Sequence, residues 1–220
     1  MPTQTEPTGV WFFILKGGPV MVPILILSIF ALAIILAKFW ELWQFRRQLN
    51  KLCQRLFSLA QEGNLPAALH VCRDKNTSLG RLFEAAILYR SQERSELTRR
   101  LERLGGDVVA DLESYMSMLA TVIGVEPMLG FLGTIIGLIK AFMNWETMGE
   151  QITINILAGG IYEAMITTAT GLSVAIPYYL VYNHLVTRVT SLTRLTEERT
   201  DEFADLLAEV KIKEPVRLAL

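Results

Sequence analysis

ILAGGIYEAMITTATGLSVAIPYYLVYN, residues Ile156 to Asn183, carries a single formal charge, Glu163. A helix of about 20 apolar residues crosses the ~30 Å hydrocarbon core of a bilayer, and this stretch is long enough. A carboxylate inside such a span costs about 2.5–3.5 kcal/mol on insertion scales, so its presence calls for a partner or a function. Whether the stretch is a span at all depends on the rest of the chain.

Two more apolar stretches precede it. Residues Gly17 to Ala37, GGPVMVPILILSIFALAIILA, hold no charge. Residues Leu119 to Trp145 are charged only at Glu126 and Lys140, near the two ends. Three spans in a chain that is 51% hydrophobic predict an all-α membrane protein. The segment before the first span lacks a basic start, and no small-residue cleavage site follows the apolar core. The first span is therefore expected to stay as a membrane helix rather than act as a secretory leader.

Basic residues fix the expected orientation, because short cytoplasmic segments retain Lys and Arg. Twelve fall between Trp43 and Ala120, none in ETMGEQITIN (Glu146–Asn155), and six after His184. The expected layout is a periplasmic segment 1–18, a first membrane helix 19–42 and a cytoplasmic helical segment 43–118. A second membrane helix 119–145, a periplasmic loop 146–154, a third membrane helix 155–185 and a cytoplasmic tail 186–220 complete it. The amino terminus is then periplasmic and the carboxyl terminus cytoplasmic, in a bacterial inner membrane.

Leu49, Leu52, Leu56 and Leu59 follow the first span at helical spacing, and Leu192, Leu195, Phe203 and Leu206 follow the third. The first and third helices are thus expected to extend into a cytoplasmic helical bundle. Gly63 and Pro66 predict a turn between helices, and Ser95 to Ala120 reads as one long helix. Cys53 and Cys72 lie in the cytoplasmic part, where thiols stay reduced. His70 and Cys72 lack further ligands at metal spacing, and no phosphate loop or nucleophile motif occurs. The expectation is no enzyme, no metal and no cofactor, and a net charge of −1 gives no reason to expect a nucleic-acid partner.

Small residues mark how the spans pack. Gly130, Gly133 and Gly137 on the second span, and Gly160, Ala164, Thr168, Gly171 and Ala175 on the third, let helix backbones approach in lipid. Glu163 heads a neighbouring stripe with Thr167, Thr170 and Val174. Two readings of that stripe stand: an ion path along the hydroxyls, or threonines bonded one turn back with Glu163 paired to Lys140. Glu126, ahead of Pro127, lies ~16 Å from the level of Glu163 by helical rise and cannot pair with it. It is expected at the cytoplasmic mouth or against a basic side chain.

The blocks LKGGPVMVPILILSIFALAIILAKFWEL, MLGFLGTIIGLIKAF and GIYEAMITTATGLSVAIPYYLVYN, with this layout, resemble the MotA/TolQ/ExbB proton-channel family, closest to its ExbB branch. The G-x-x-G-T-x-x-G pattern at Gly130–Gly137 and E-A-x-x-x-T-A-x-G-L at Glu163–Leu172 carry the resemblance. It implies pore threonines at Thr134 and Thr168 and a membrane carboxylate at Glu163. With Thr167 and Thr170 these make the expected ion pathway. It further implies a homopentamer around a single-span partner like ExbD or TolR with a membrane Asp, and a TonB-like periplasm-spanning protein beyond it. The function implied is a proton-driven motor working on the outer membrane, with a TolQ-like envelope-maintenance motor, a sodium-driven stator relative or a passive scaffold as alternatives. Glu126 departs from the family, which has a small or apolar residue there.

Overall fold

The computed structural model describes residues 17–74, 77–149 and 153–213. Among them are six helices: α1 (Met21–Gln61), α2 (Leu65–Arg73), α3 (Ser78–Leu88), α4 (Arg94–Glu113), α5 (Met116–Met148) and α6 (Ile154–Lys213). No strand occurs among the described residues. Three stretches, in α1, α5 and α6, are long and apolar enough to cross a membrane, with mean hydropathies of 2.6, 2.0 and 1.4. The protein is an all-α membrane protein. The expected amino-terminal segment and the end of the tail lie mostly outside the described residues, as do residues 150–152 of the loop.

Local chemistry sets the helix ends. Gly63 takes φ +73°, and the amides of Gly63 and Asn64 donate to the carbonyls of Ala60 (3.1 Å) and Leu59 (2.9 Å). This is the Schellman arrangement, which favours glycine because the left-handed backbone crowds any Cβ. Asn64 then caps α2 by accepting from the Ala67 amide (3.3 Å), with Pro66 in the first turn where its missing N–H costs nothing. Thr77 caps α3 in the same way, accepting from the Gly80 amide (3.2 Å).

The single helix expected over 95–120 is two. Ser114 leaves the helical region (φ −51°, ψ 138°) and Tyr115 takes φ +62°, after which α5 begins. Neither Gly nor Pro marks the break in DLESYMSML (Asp111–Leu119), so side-chain periodicity runs through it. A long-range contact signals it instead. Lys38, 1% exposed, donates to the Leu112 carbonyl (3.2 Å) and the Ser114 hydroxyl (3.0 Å) and pairs with Glu41 (2.8 Å). The ammonium bonds a carbonyl at the end of α4, where the helix has none of its own donors left.

The contacts divide the chain into two compact units. One takes the chain up to Ala37 and Tyr115–His184; the other takes Lys38–Ser114 and the chain from Leu185. α1 and α6 contribute to both.

The second unit has an ordinary aqueous-type core. Leu49, Leu56, Phe83, Leu112, Leu185, Phe203 and Leu207 are each 1% exposed or less. The Phe203 ring packs 5.5 Å from that of Phe57 and 5.6 Å from that of Phe83. Cys53 and Cys72 are buried and unpaired. Burial, the largest influence on both, pushes the Cys53 thiol up to about 11 and that of Cys72 to about 12. Both folded values lie above the ordinary thiol value of 9.0, so the two groups favour the folded state below that pH. They lose that contribution as the pH climbs from there toward 11 and 12.

The first unit is the inverse. Val22, Ile29, Leu36, Met128, Phe131, Ile176 and Leu180 are all exposed. A surface this apolar suits hydrocarbon rather than water. Beside buried apolar side chains such as Met21, Ile24, Leu119 and Ile123, it buries small residues and polar groups at the helix contacts, where the candidate site lies.

Candidate functional site

α5 and α6 meet through their glycines. A Cβ on Gly133 would lie 2.5 Å from Thr167 Oγ1 and 2.6 Å from Thr167 Cβ. One on Gly137 would lie 2.8 Å from Ala164 Cβ, and one on Gly160 2.9 Å from Ala141 Cβ. Gly171 sits against the Glu126 carbonyl, where a Cβ would be at 2.8 Å, and Gly130 against the Thr167 carbonyl at 3.1 Å. Ala164 and Ala175 are buried. The small residues of the two spans therefore face one another and bring the backbones close, which in lipid supplies the dispersion contact that a hydrophobic effect cannot.

Thr134 and Thr168 come together inside this contact. Their hydroxyls touch directly. Thr168 Oγ1 donates to the Gly130 carbonyl (2.9 Å), and Thr134 Oγ1 lies 3.3 Å from the carbonyls of Gly130 and Ala164. Each hydroxyl has one proton and two lone pairs, so the pair keeps acceptor capacity for a third polar group. Thr167 and Thr170 are placed differently. Thr167 is 1% exposed and donates to the Ala164 carbonyl (2.8 Å), its side chain filling the space left by Gly133. Thr170 donates to the Ile166 carbonyl (2.8 Å). Both bond within their own helix.

Glu163 accepts a hydrogen bond from Lys140 Nζ at 2.8 Å. The pair is half open, with side chains 25% and 46% exposed respectively. Glu163 lies five residues from Thr168 and Lys140 six from Thr134, so the ion pair stands roughly 7–9 Å along the helices from the threonine pair. Gly18, at φ +69°, lies directly against Glu163 Oε1, where a Cβ would overlap the carboxylate. Sequence reading passed over Gly18. Its only signal is a glycine pair before Pro19 at the start of a span. Tyr178 was also passed over; its hydroxyl lies 3.2 Å from the Ser28 hydroxyl and 3.2 Å from its carbonyl, tying α1 to α6.

Glu126 is not at an open mouth or beside a base. It is 0% exposed, and neither carboxylate oxygen has a hydrogen-bond partner among the described residues. The reason is in the spacing: Glu126, Gly130, Gly133 and Gly137 recur at four, three and four residues, which puts the glutamate on the glycine face pressed onto α6. An unbonded buried polar group costs about 1–3 kcal/mol. Glu126→Met, close in length and apolar, is expected to stabilise the protein by about that much, read as a higher thermal midpoint in detergent. An equal or lower midpoint would show that the carboxyl has a partner in the assembled protein.

No cluster of three metal-ligating side chains occurs among the described residues. Along the α5–α6 contact, then, stand an ion pair, two touching hydroxyls and a carboxyl with no hydrogen-bond partner among the described residues.

Residues 74–198 match the profile of the MotA/TolQ/ExbB proton channel family. An ExbB-like biopolymer transport protein of Synechocystis sp. is 30% identical over 200 residues, covering 90% of this chain and 76% of the relative. The biopolymer transport protein ExbB of Neisseria meningitidis serogroup A is 28% identical over 188 residues, covering 77% and 84%. The Tol-Pal system protein TolQ of Haemophilus influenzae is 39% identical over 99 residues, covering 45% and 43%. The profile spans more than half of the chain, including the threonine and glycine contact, and on that extent the chain belongs to the MotA/TolQ/ExbB proton channel family.

Proposed function

We infer that this chain is the multi-span subunit of a proton-driven motor of the ExbB kind, coupling the proton gradient of a bacterial inner membrane to work at the outer membrane. The touching hydroxyls of Thr134 and Thr168 carry the reading. Two adjacent spans place within their close contact a hydroxyl pair with spare acceptor capacity, at a depth where an apolar pair would pack as well. Glu163 and Lys140, nearer the 146–154 loop, supply the charged entrance. The proton carrier itself belongs to a single-span partner like ExbD or TolR, whose membrane Asp meets the threonine pair from the axis of a homopentamer. Each proton crossing provides ~2.3 kcal/mol per 100 mV, which a TonB-like protein passes on as mechanical work.

The test is proton flux in vesicles holding this chain together with a single-span ExbD- or TolR-like protein that carries a membrane Asp. Flux that needs both proteins and a membrane potential is expected. Equal flux with either protein alone would overturn the reading, and flux driven by sodium but not by protons would move it to a sodium-driven relative. Dependence of nutrient uptake, rather than envelope integrity, on the chain separates the ExbB role from a TolQ-like one.

One observation favours a second reading. The 2.8 Å ion pair is the arrangement a passive membrane scaffold would use to offset a buried carboxylate. Variants that separate the two readings are taken up in the Discussion.

The orientation proposed from basic residues has its own test, in a background with Cys53 and Cys72 changed to Ala. Glu146 and Ser58 are both exposed. Glu146→Cys is expected to react with an impermeant maleimide from the periplasmic side, and Ser58→Cys only after the membrane is opened. The reverse pattern would invert the topology. In the unaltered protein neither native thiol is expected to react at pH 8, because both are buried with raised thiol values.

A further inference from the structure

We propose that the groove between α1 and α6 just past the membrane-spanning stretches is a binding site for the headgroup of an anionic phospholipid. The groove, of about 640 Å³, lies wholly within the second unit. From α1 it takes Phe39, Trp43 and Arg46; from α6 it takes Arg188, Arg194 and Leu195. The α1 residues recur at four and three; on α6, Arg188, Ser191, Leu195 and Glu198 recur at three, four and three, with Arg194 at the edge of that face. Each set therefore looks into one channel.

Its depth singles out the occupant. α1 is charge-free until Lys38, and α6 carries no Lys or Arg before Arg188. The groove begins within two turns of both points, at the level where hydrocarbon gives way to headgroups. Trp40 and Trp43 pack their rings 5.6 Å apart there, both well exposed, as aromatic side chains are at a membrane interface. Phe39 and Trp43 provide an apolar wall against which an acyl chain can leave toward the bilayer.

Charge singles it out further. The guanidinium groups of Arg46 and Arg194 against the one carboxylate of Glu198 leave the groove net positive. Arg46 and Arg194 have no ion-pair partner among the described residues, while Arg47, one residue on, is held over the Trp43 ring at 3.4 Å. Guanidinium is the group whose planar fork meets phosphate oxygens with two parallel hydrogen bonds. A zwitterionic headgroup would leave the excess positive charge uncompensated. An acidic protein segment could compensate it but would have to compete at a surface where lipid phosphate is in constant supply.

The site is independent of the motor reading, and its test needs no partner protein. The full chain, purified in a nonionic detergent, is titrated with phosphatidylglycerol, with phosphatidylcholine of the same acyl chains, and with soluble glycerol phosphate. Retained lipid is read by native mass and protection by thermal midpoint. Phosphatidylglycerol is expected to be retained and to raise the midpoint, with phosphatidylcholine and glycerol phosphate doing neither. Changing Arg46, Arg188 and Arg194 together to Gln is expected to weaken retention about a hundredfold at low salt, since each basic side chain near an anionic surface contributes ~1 kcal/mol. Arg194→Lys is expected to keep most of it, and Lys51→Gln with Arg55→Gln and Arg81→Gln, an equal change of charge elsewhere in the unit, to keep all of it.

Should the triple variant fold poorly, Arg194→Gln alone carries the comparison, with a loss of about tenfold or less expected. Equal retention of both lipids by the unaltered chain, or undiminished phosphatidylglycerol in the triple and single variants, would overturn the proposal. So would protection by glycerol phosphate equal to that by lipid, which would make this a free-phosphate site. A triple variant that loses its oligomer yet keeps its lipid would assign the groove to a neighbouring copy of the chain.

Discussion

Glu163→Ala is expected to reduce partner-dependent proton flux to the level of vesicles without the protein, while the oligomer keeps its native mass and its single-span partner. The geometry makes assembly insensitive to this change. Lys140 has a side chain 46% exposed, near the end of α5, and can turn its ammonium toward the interface once its partner is gone. A half-open ion pair contributes on the order of 0–1 kcal/mol, so its loss leaves stability nearly unchanged. The alanine also leaves open the space beside Gly18 that the carboxylate occupies. Loss of flux with assembly intact then isolates a role in transport.

Thr134→Val and Thr168→Val extend the same test to the hydroxyl pair. Valine keeps the shape and removes the oxygen, and the carbonyls of Gly130 and Ala164 lie within helices that already satisfy them. Each change is expected to cost no more than about 0.5–1.5 kcal/mol of stability and to abolish flux. The scaffold reading expects other results. There Glu163→Ala leaves a charge whose only purpose was pairing, so assembly suffers, Lys140→Met restores it in combination, and the threonine changes are silent. A fully active Glu163→Ala protein sinks the ion-path proposal, and rescue of assembly by the Lys140→Met combination establishes the scaffold.

The features legible in the sequence were those written in local spacing. The charge-free run from Gly17 to Ala37 announces a span by length alone, and Gly63 with Pro66 announces a turn because each has a backbone reason to be there. The alternation of small residues at three and four marks the α5 and α6 faces. What escaped was written in contacts between distant residues. The break at Ser114 and Tyr115 lacks a breaker of its own and is matched to Lys38, more than seventy residues away in the chain. Gly18 shows its purpose only when Glu163 is seen beside it. Glu126 was legible and misread: its spacing to Gly130 places it on the packed face, but a charged residue beside a proline near the end of a span invites the opposite reading. Thr167 and Thr170 lie in the same short stretch as Thr168 but outside its motif, and although Thr167 packs on Gly133 of α5, both donate to carbonyls of α6, so only Thr168 hydrogen-bonds across to α5.

Gly133→Leu is expected to abolish the native oligomer and lower the thermal midpoint sharply. The Cβ alone would sit 2.5 Å from Thr167 Oγ1 and 2.6 Å from Thr167 Cβ, closer than real Cβ contacts come. Thr167 cannot yield, because it is 1% exposed and its hydroxyl is held at 2.8 Å by the Ala164 carbonyl. The helices must separate, and separation undoes the contacts at Gly130, Gly137, Gly160 and Gly171 together, since all five glycines share one interface. Overpacking of a filled site typically costs about 1–3 kcal/mol, and loss of the whole contact adds to it. It also parts Thr134 from Thr168, so flux should vanish even from any protein that remains assembled. Gly133→Ala measures the first step of the same effect. Thr167→Ala leaves the Cβ clash and should rescue Gly133→Ala only in part, whereas Thr167→Gly removes the clashing atoms and should restore it nearly fully, less the ~1 kcal/mol that a helical glycine costs. An oligomer of native mass and midpoint from Gly133→Leu would mean that α5 and α6 do not meet along this face, and the threonine pair would fall with it.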